Sequence, residues 1–155
     1  MANHFRSLKI LHTALLLGMT FFAVVSLVIP REEISKDIDK SYETIFQAVA
    51  AGVSLLSLLT GFSIFKKNLA AVYRSTERAE KKMEMYRGAC ILWWAMIEGP
   101  GLLSLIFFVL TGNYAFLALA GFQIALLAVF MPRKDNIKLL LNLTTQDVQK
   151  LEGVI

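Results

Sequence analysis

Four long apolar runs, separated by charged or turn-forming segments, organise this chain. The first extends from Leu8 to Ile29 and stops at Pro30, and the second from about Ile45 to Phe65, stopping at Lys66 and Lys67. The third covers Ala89 to Leu110; after the turn Thr111-Gly112-Asn113 the fourth runs from Tyr114 to Met131 and stops at Pro132. Apolar residues are continuous in these runs rather than alternating, which argues against strands. Each run is near the length of about 17–25 residues that a helix needs to cross a bilayer. The pattern predicts an all-α polytopic membrane protein. Its four transmembrane helices (about 8–29, 45–65, 89–110 and 114–131) form two antiparallel hairpins within one domain, 1–132, and an amphipathic tail follows over 133–155.

The first run resembles a secretory signal in having His4, Arg6 and Lys9 around its start. It is longer than the roughly 7–15 residues of a signal core, however, and no Ala-x-Ala-like site follows, so it reads as an uncleaved first span. Composition agrees with a membrane solvent. The 155 residues suit a single domain, and 56% of them are hydrophobic, against about 45–50% in ordinary soluble domains.

Charge sets the orientation. Of the 16 lysines and arginines, only Arg31, Lys36 and Lys40 fall between spans one and two. The other 13 lie at the amino end (Arg6, Lys9), between spans two and three (Lys66, Lys67, Arg74, Arg78, Lys81, Lys82, Arg87) or in the tail (Arg133, Lys134, Lys138, Lys150). The positive-inside rule then places both termini and the 66–88 loop in the cytoplasm, in a plasma membrane of the bacterial inner-membrane type. The net charge of +4 is explained by anionic lipid facing the basic loop, each cation being worth about 1 kcal/mol there. No aromatic-interleaved basic stripe suggests nucleic acid.

Outside the spans the expectations are modest. Residues 31–43 carry five acids against three bases, and the second helix is expected to begin within them. In 74–88, Glu77 stands four residues before Lys81, and Ser75 or Thr76 is placed to cap a cytoplasmic extension of span three. In the tail, Thr144 with Asp147 three residues on marks a helix start, with Val148 and Leu151 on one face.

Interfaces between helices in lipid favour small residues and hydrogen-bonding side chains. Two stripes fit. Ala50, Ser54, Ser57 and Gly61 share one face of span two, and Ala118, Gly121, Ala125 and Ala128 share one face of span four. Either face allows close approach to another helix, in the same chain or in a neighbouring copy.

Candidate chemistry is concentrated in span three. Glu98 is the one charged residue well inside any span, and a central charge costs about 2.5–3.5 kcal/mol on insertion scales. A carboxyl kept there implies protonation or a partner. Counting from the shared outer turn puts Gln123 within about 3 Å of the depth of Glu98, so Gln123 is the candidate partner if their faces meet. Two residues after Glu98, Pro100 has no N–H to offer the Met96 carbonyl, and Gly99 and Gly101 loosen the chain around it, so the third helix is expected to break or kink there. Irregular backbone at membrane depth, as in transporter sites, is one way to expose polar groups for ions.

These features point to a small proton- or cation-coupled transporter, oligomeric because four helices seldom enclose a path alone. The alternative is a membrane accessory or scaffold protein in which Glu98 only fastens helices. An enzyme is not expected, since no nucleophile elbow, triad or phosphate-cradling loop is present. No cofactor or metal is implied: Cys90 is the sole cysteine, and His4 and His12 read as solvated interfacial residues. Trp93 and Trp94 read as packing or lipid-facing aromatics.

Overall fold

The computed structural model describes residues 2–29 and 40–133, together with 137, 138, 141, 147 and 149. Within them the chain forms four helices: α1 (Ala2–Val28), α2 (Lys40–Arg74), α3 (Ala79–Thr111) and α4 (Tyr114–Val129). Three are long and apolar enough to cross a membrane, over Phe5–Val28, Tyr42–Arg74 and Ala79–Thr111. At 1.5 Å per residue the 35-residue α2 is about 52 Å long, more than the roughly 30 Å of a hydrocarbon core. The fourth apolar helix has only 16 residues, about 24 Å. It is shorter than the run that encodes it because Pro132 disfavours helix in the residue before it, and Phe130 and Met131 already leave the helix.

The connections are tight. Four residues separate α2 from α3. There the Ser75 hydroxyl accepts from the Glu77 backbone N–H at 3.2 Å, and the N-cap of α3 is Arg78, with no side-chain cap. Glu77 precedes the helix, so the expected Glu77–Lys81 pair is replaced by Lys81–Glu84 at 3.0 Å. Between α3 and α4, Gly112 adopts φ 71° and its N–H donates to the Phe108 carbonyl at 2.8 Å. This left-handed C-cap favours glycine. Asn113 then caps α4 by accepting from the Ala115 N–H, while its side-chain amide donates to Glu43 near the start of α2.

The helices surround α3. It packs along α2, α4 and α1, whereas α1 makes its remaining contact with α4 and has no extended contact with α2. The first two helices are thus not packed as a hairpin: α1 lies on α3, and the two run in the same direction, because His12 meets Trp94 and Met19 meets Gly101 further along both. In its most apolar window α3 is 44% buried, against 17% for α1 and for α2. The outer surfaces of α1, α2 and α4 instead display large apolar side chains such as Phe21, Val28, Leu56, Phe122 and Val129, an arrangement that suits lipid rather than water.

Two buried clusters hold the bundle. One, at the end carrying most of the lysines and arginines (the basic end), joins Phe5, Leu8, Met83, Tyr86, Trp93 and Trp94 with Ile137 and Leu141 of the tail. There the Ile137 and Leu141 N–H groups donate to the Arg133 and Ile137 carbonyls, and the Lys82 ammonium donates to the Leu141 carbonyl at 3.3 Å. The other cluster, near the opposite end, sets Ala50 against Phe108 and Phe116, beside Phe46 stacked on Phe107 with ring centroids 4.7 Å apart. The tail helix expected from Thr144, with Val148 and Leu151, lies mostly outside the described residues.

Candidate functional site

Glu98 is placed by the periodicity of α3. The buried face of this helix includes Trp93, Trp94, Ile97, Pro100, Gly101 and Ser104. At 100° per residue Glu98 falls about 40° beyond Trp94 and about 60° beyond Gly101, at the margin of that face on the side of α1. It is half-buried. Its carboxylate makes no hydrogen bond or ion pair among the described residues.

Gln123 does not reach it. Fully buried, Gln123 crosses the bundle and donates from Nε2 to the Ser54 hydroxyl at 2.8 Å, linking α4 to α2. The physical reason is space at Gly101: a Cβ there would lie 2.9 Å from Gln123 Oε1 and 1.8 Å from the Met19 methyl group. The glycine therefore lets the amide pass over the centre of the buried face, inward of Glu98. Gln123 Oε1 is buried and accepts from no donor among the described residues. One turn beyond Pro100, the Ser104 hydroxyl donates to the Pro100 carbonyl at 2.9 Å. Met96, whose carbonyl Pro100 cannot serve, is half-buried and packs against Gly61.

The expectation for His12 is overturned. Its side chain is 1% exposed, with Nε2 2.9 Å from the Leu127 carbonyl and the ring edge-on to Trp94 at 4.7 Å between centroids. A carbonyl only accepts, so Nε2 carries the proton and donates. Nδ1 is buried without a partner among the described residues. Helix α1 begins at Ala2 rather than at Leu8, which puts His12 about 15 Å along it instead of at its tip. A sequence signal was present: Phe5, Leu8, His12, Met19 and Ser26, all buried, follow steps of three, four, seven and seven, a single helical face. The side chain of His4 lies outside the description. Trp93 and Trp94 are both buried, Trp93 among Phe62, Phe65 and Phe130.

The packing around α3 thus carries two buried polar levels. One holds His12 with the Leu127 carbonyl, and the other holds Gln123 with Ser54 beside Gly101. Glu98 lies between them along α3, four residues after Trp94 and three before Gly101. A carboxyl, an imidazole nitrogen and an amide oxygen, none with a partner among the described residues, follow one another over about 10 Å of helix.

The two small-residue stripes have different fates. On α2, Ala50, Ser54 and Gly61 are buried and Ser57 is half-buried. A Cβ at Gly61 would lie 2.8 Å from Met96 Cβ and 3.1 Å from the Trp93 ring. On α4 the buried face is Phe116, Ala120, Gln123 and Leu127, so Ala118, Gly121, Ala125 and Ala128 all face outward.

Among the described residues no group of three or more His, Cys, Asp or Glu side chains is disposed to hold a metal ion. No family of known proteins, no curated protein and no solved structure matches this chain.

Proposed function

We propose that this chain is a small four-span transporter of the plasma membrane, with both termini and the α2–α3 connection in the cytoplasm, moving protons or cations by way of Glu98. One observation carries the reading: the carboxyl in the apolar part of α3 is half-buried and has no intrachain partner among the described residues. A glutamate kept to fasten helices within the chain should hold a donor on another helix, and here Gln123 and Ser54 bond each other instead. A carboxyl without a fixed donor keeps the freedom to gain and lose a proton or cation. Intramembrane acids of this kind mark ion pathways. His12 and the Gln123 carbonyl oxygen are the polar groups at the neighbouring levels, and Pro100 gives α3 the local freedom that a carrier position needs.

A hydrophobic carbodiimide, which reacts with protonated carboxyls in apolar surroundings, tests the proposal in proteoliposomes. Modification located at Glu98 by peptide mass, with loss of flux in proportion, is the expected result. Complete modification at Glu98 with undiminished flux would refute it.

The second reading, an accessory protein, is favoured by a separate observation. Ala95 and Gly99, on the exposed side of α3 next to Glu98, leave room for a helix of a partner or of a second copy, which would then supply the donor for the carboxyl. In that case Glu98→Gln, which preserves hydrogen bonding, retains the assembly, whereas Glu98→Leu dissolves it.

A further inference from the structure

A cavity of about 220 Å³ lies between α2, α3 and α4 at the basic end, walled by Phe65, Leu69, Tyr86, Cys90, Trp93 and Phe130. Its walls are mostly apolar and aromatic, with Tyr86 and Cys90 contributing a hydroxyl and a thiol, and two further polar groups bear on what it can hold. The indole N–H of Trp93, on a side chain only 3% exposed, is buried with no acceptor among the described residues. Its ring is fixed by neighbours, Phe130 at 5.2 Å and Phe62 at 5.7 Å between centroids. The other is Arg133, an exposed cation on the rim just after Pro132. No acidic residue lines the cavity.

We infer that this cavity seats one anionic phospholipid. The chemistry matches in order from the rim inward. Arg133 pairs with the phosphate, the Trp93 N–H donates to an ester carbonyl, and the aromatic walls take the glycerol region and first methylenes. The acyl chain leaves over Val129 and Met131, which line the cavity and are 74% and 37% exposed on the outer surface. The volume is below the roughly 300–1,000 Å³ of sites that engulf a whole small molecule, and it suits an amphiphile of which only the part below the headgroup enters. The position is appropriate, since the basic end of membrane-crossing helices lies where anionic headgroups gather. A seat of this kind fixes one lipid against α3 and α4, unlike the diffuse attraction of the basic stretch 66–88, and it does not depend on Glu98.

Native mass spectrometry of the full chain in neutral detergent, with equal amounts of phosphatidylglycerol and phosphatidylcholine, tests this directly. One phosphatidylglycerol should be retained in preference. Arg133→Gln, an exposed substitution that leaves the bundle intact, should weaken retention about fivefold, and Trp93→Phe should weaken it as well. Equal retention of the two lipids, or wild-type retention by Arg133→Gln, would overturn the assignment. Displacement by inorganic phosphate at comparable concentration would reassign the seat to a free anion. A phosphatidylglycerol with a photoreactive group at the top of its chain should crosslink within 86–93 or 129–133, and crosslinks confined to other segments would place the lipid elsewhere.

Discussion

At Glu98 and Gln123 a rotation of a few tens of degrees separates two very different roles. Both were recognisable in the sequence as polar groups in apolar runs, and their depths were recoverable by counting residues from the outer turn. Which one faces the centre was not, because the counting gives height along a helix but not the angle at which neighbouring helices present their faces. The amide is consumed by Ser54, and the prediction at this scale concerns that bond. Ser54→Ala leaves the Gln123 N–H buried and unpaired, so it should lower stability in micelles by about 0.6–1.7 kcal/mol, from the average to the maximum found for hydrogen bonds between membrane helices. Denaturant titration followed by tryptophan fluorescence would show it, and an unchanged midpoint would mean that the bond contributes nothing. His12 was missed for a different reason. A histidine near the start of an apolar run is ordinarily interfacial, and only the early start of α1 carries it into the interior.

Among the elements, three long helices were legible because continuous apolar runs with charged boundaries leave few alternatives. Their neighbours were less so. Sequence adjacency suggests that α1 pairs with α2, but α3 is the helix whose buried face is widest, with Trp94 and Gly101 towards one edge and Trp93 and Ser104 towards the other, and α1 and α2 each pack on it. The small-residue stripes show the same limit: both have the right spacing, and only packing decides that the α2 stripe turns inward and the α4 stripe outward. Gly61→Ala should therefore be costly. Its new methyl would fall within 3.1 Å of Met96 and Trp93, one of those contacts being to a Cβ that cannot swing away, and overpacking of this kind costs about 1–3 kcal/mol. Gly121→Ala meets nothing within 4 Å and should leave a monomeric bundle unchanged or slightly more stable. Thermal unfolding of the two variants side by side checks the contrast, and equal effects would show that the α2–α3 contact is looser than the structure has it. If Gly121→Ala instead disrupts an oligomer seen by crosslinking, the outward stripe is an interface between copies.

For the whole molecule, the distribution of charge leads to an orientation and the membrane carboxyl to a function, and each can be examined separately. With Cys90 replaced by serine, a cysteine at Glu77 should react with a membrane-impermeant maleimide only after cells are opened, whereas one at Tyr114 should react in intact cells. The reverse pattern would invert the proposed topology without touching the helix packing. The role of Glu98 is tested most directly by reconstituting the wild-type chain and Glu98→Gln at matched density in liposomes and following the decay of an imposed pH gradient and of an imposed cation gradient. Faster decay than in protein-free liposomes for the wild type, returning to the protein-free rate in Glu98→Gln, is the predicted result. A wild-type rate equal to that of protein-free liposomes for both gradients, or a Glu98→Gln rate equal to the wild type, would contradict a carrier role for the carboxyl.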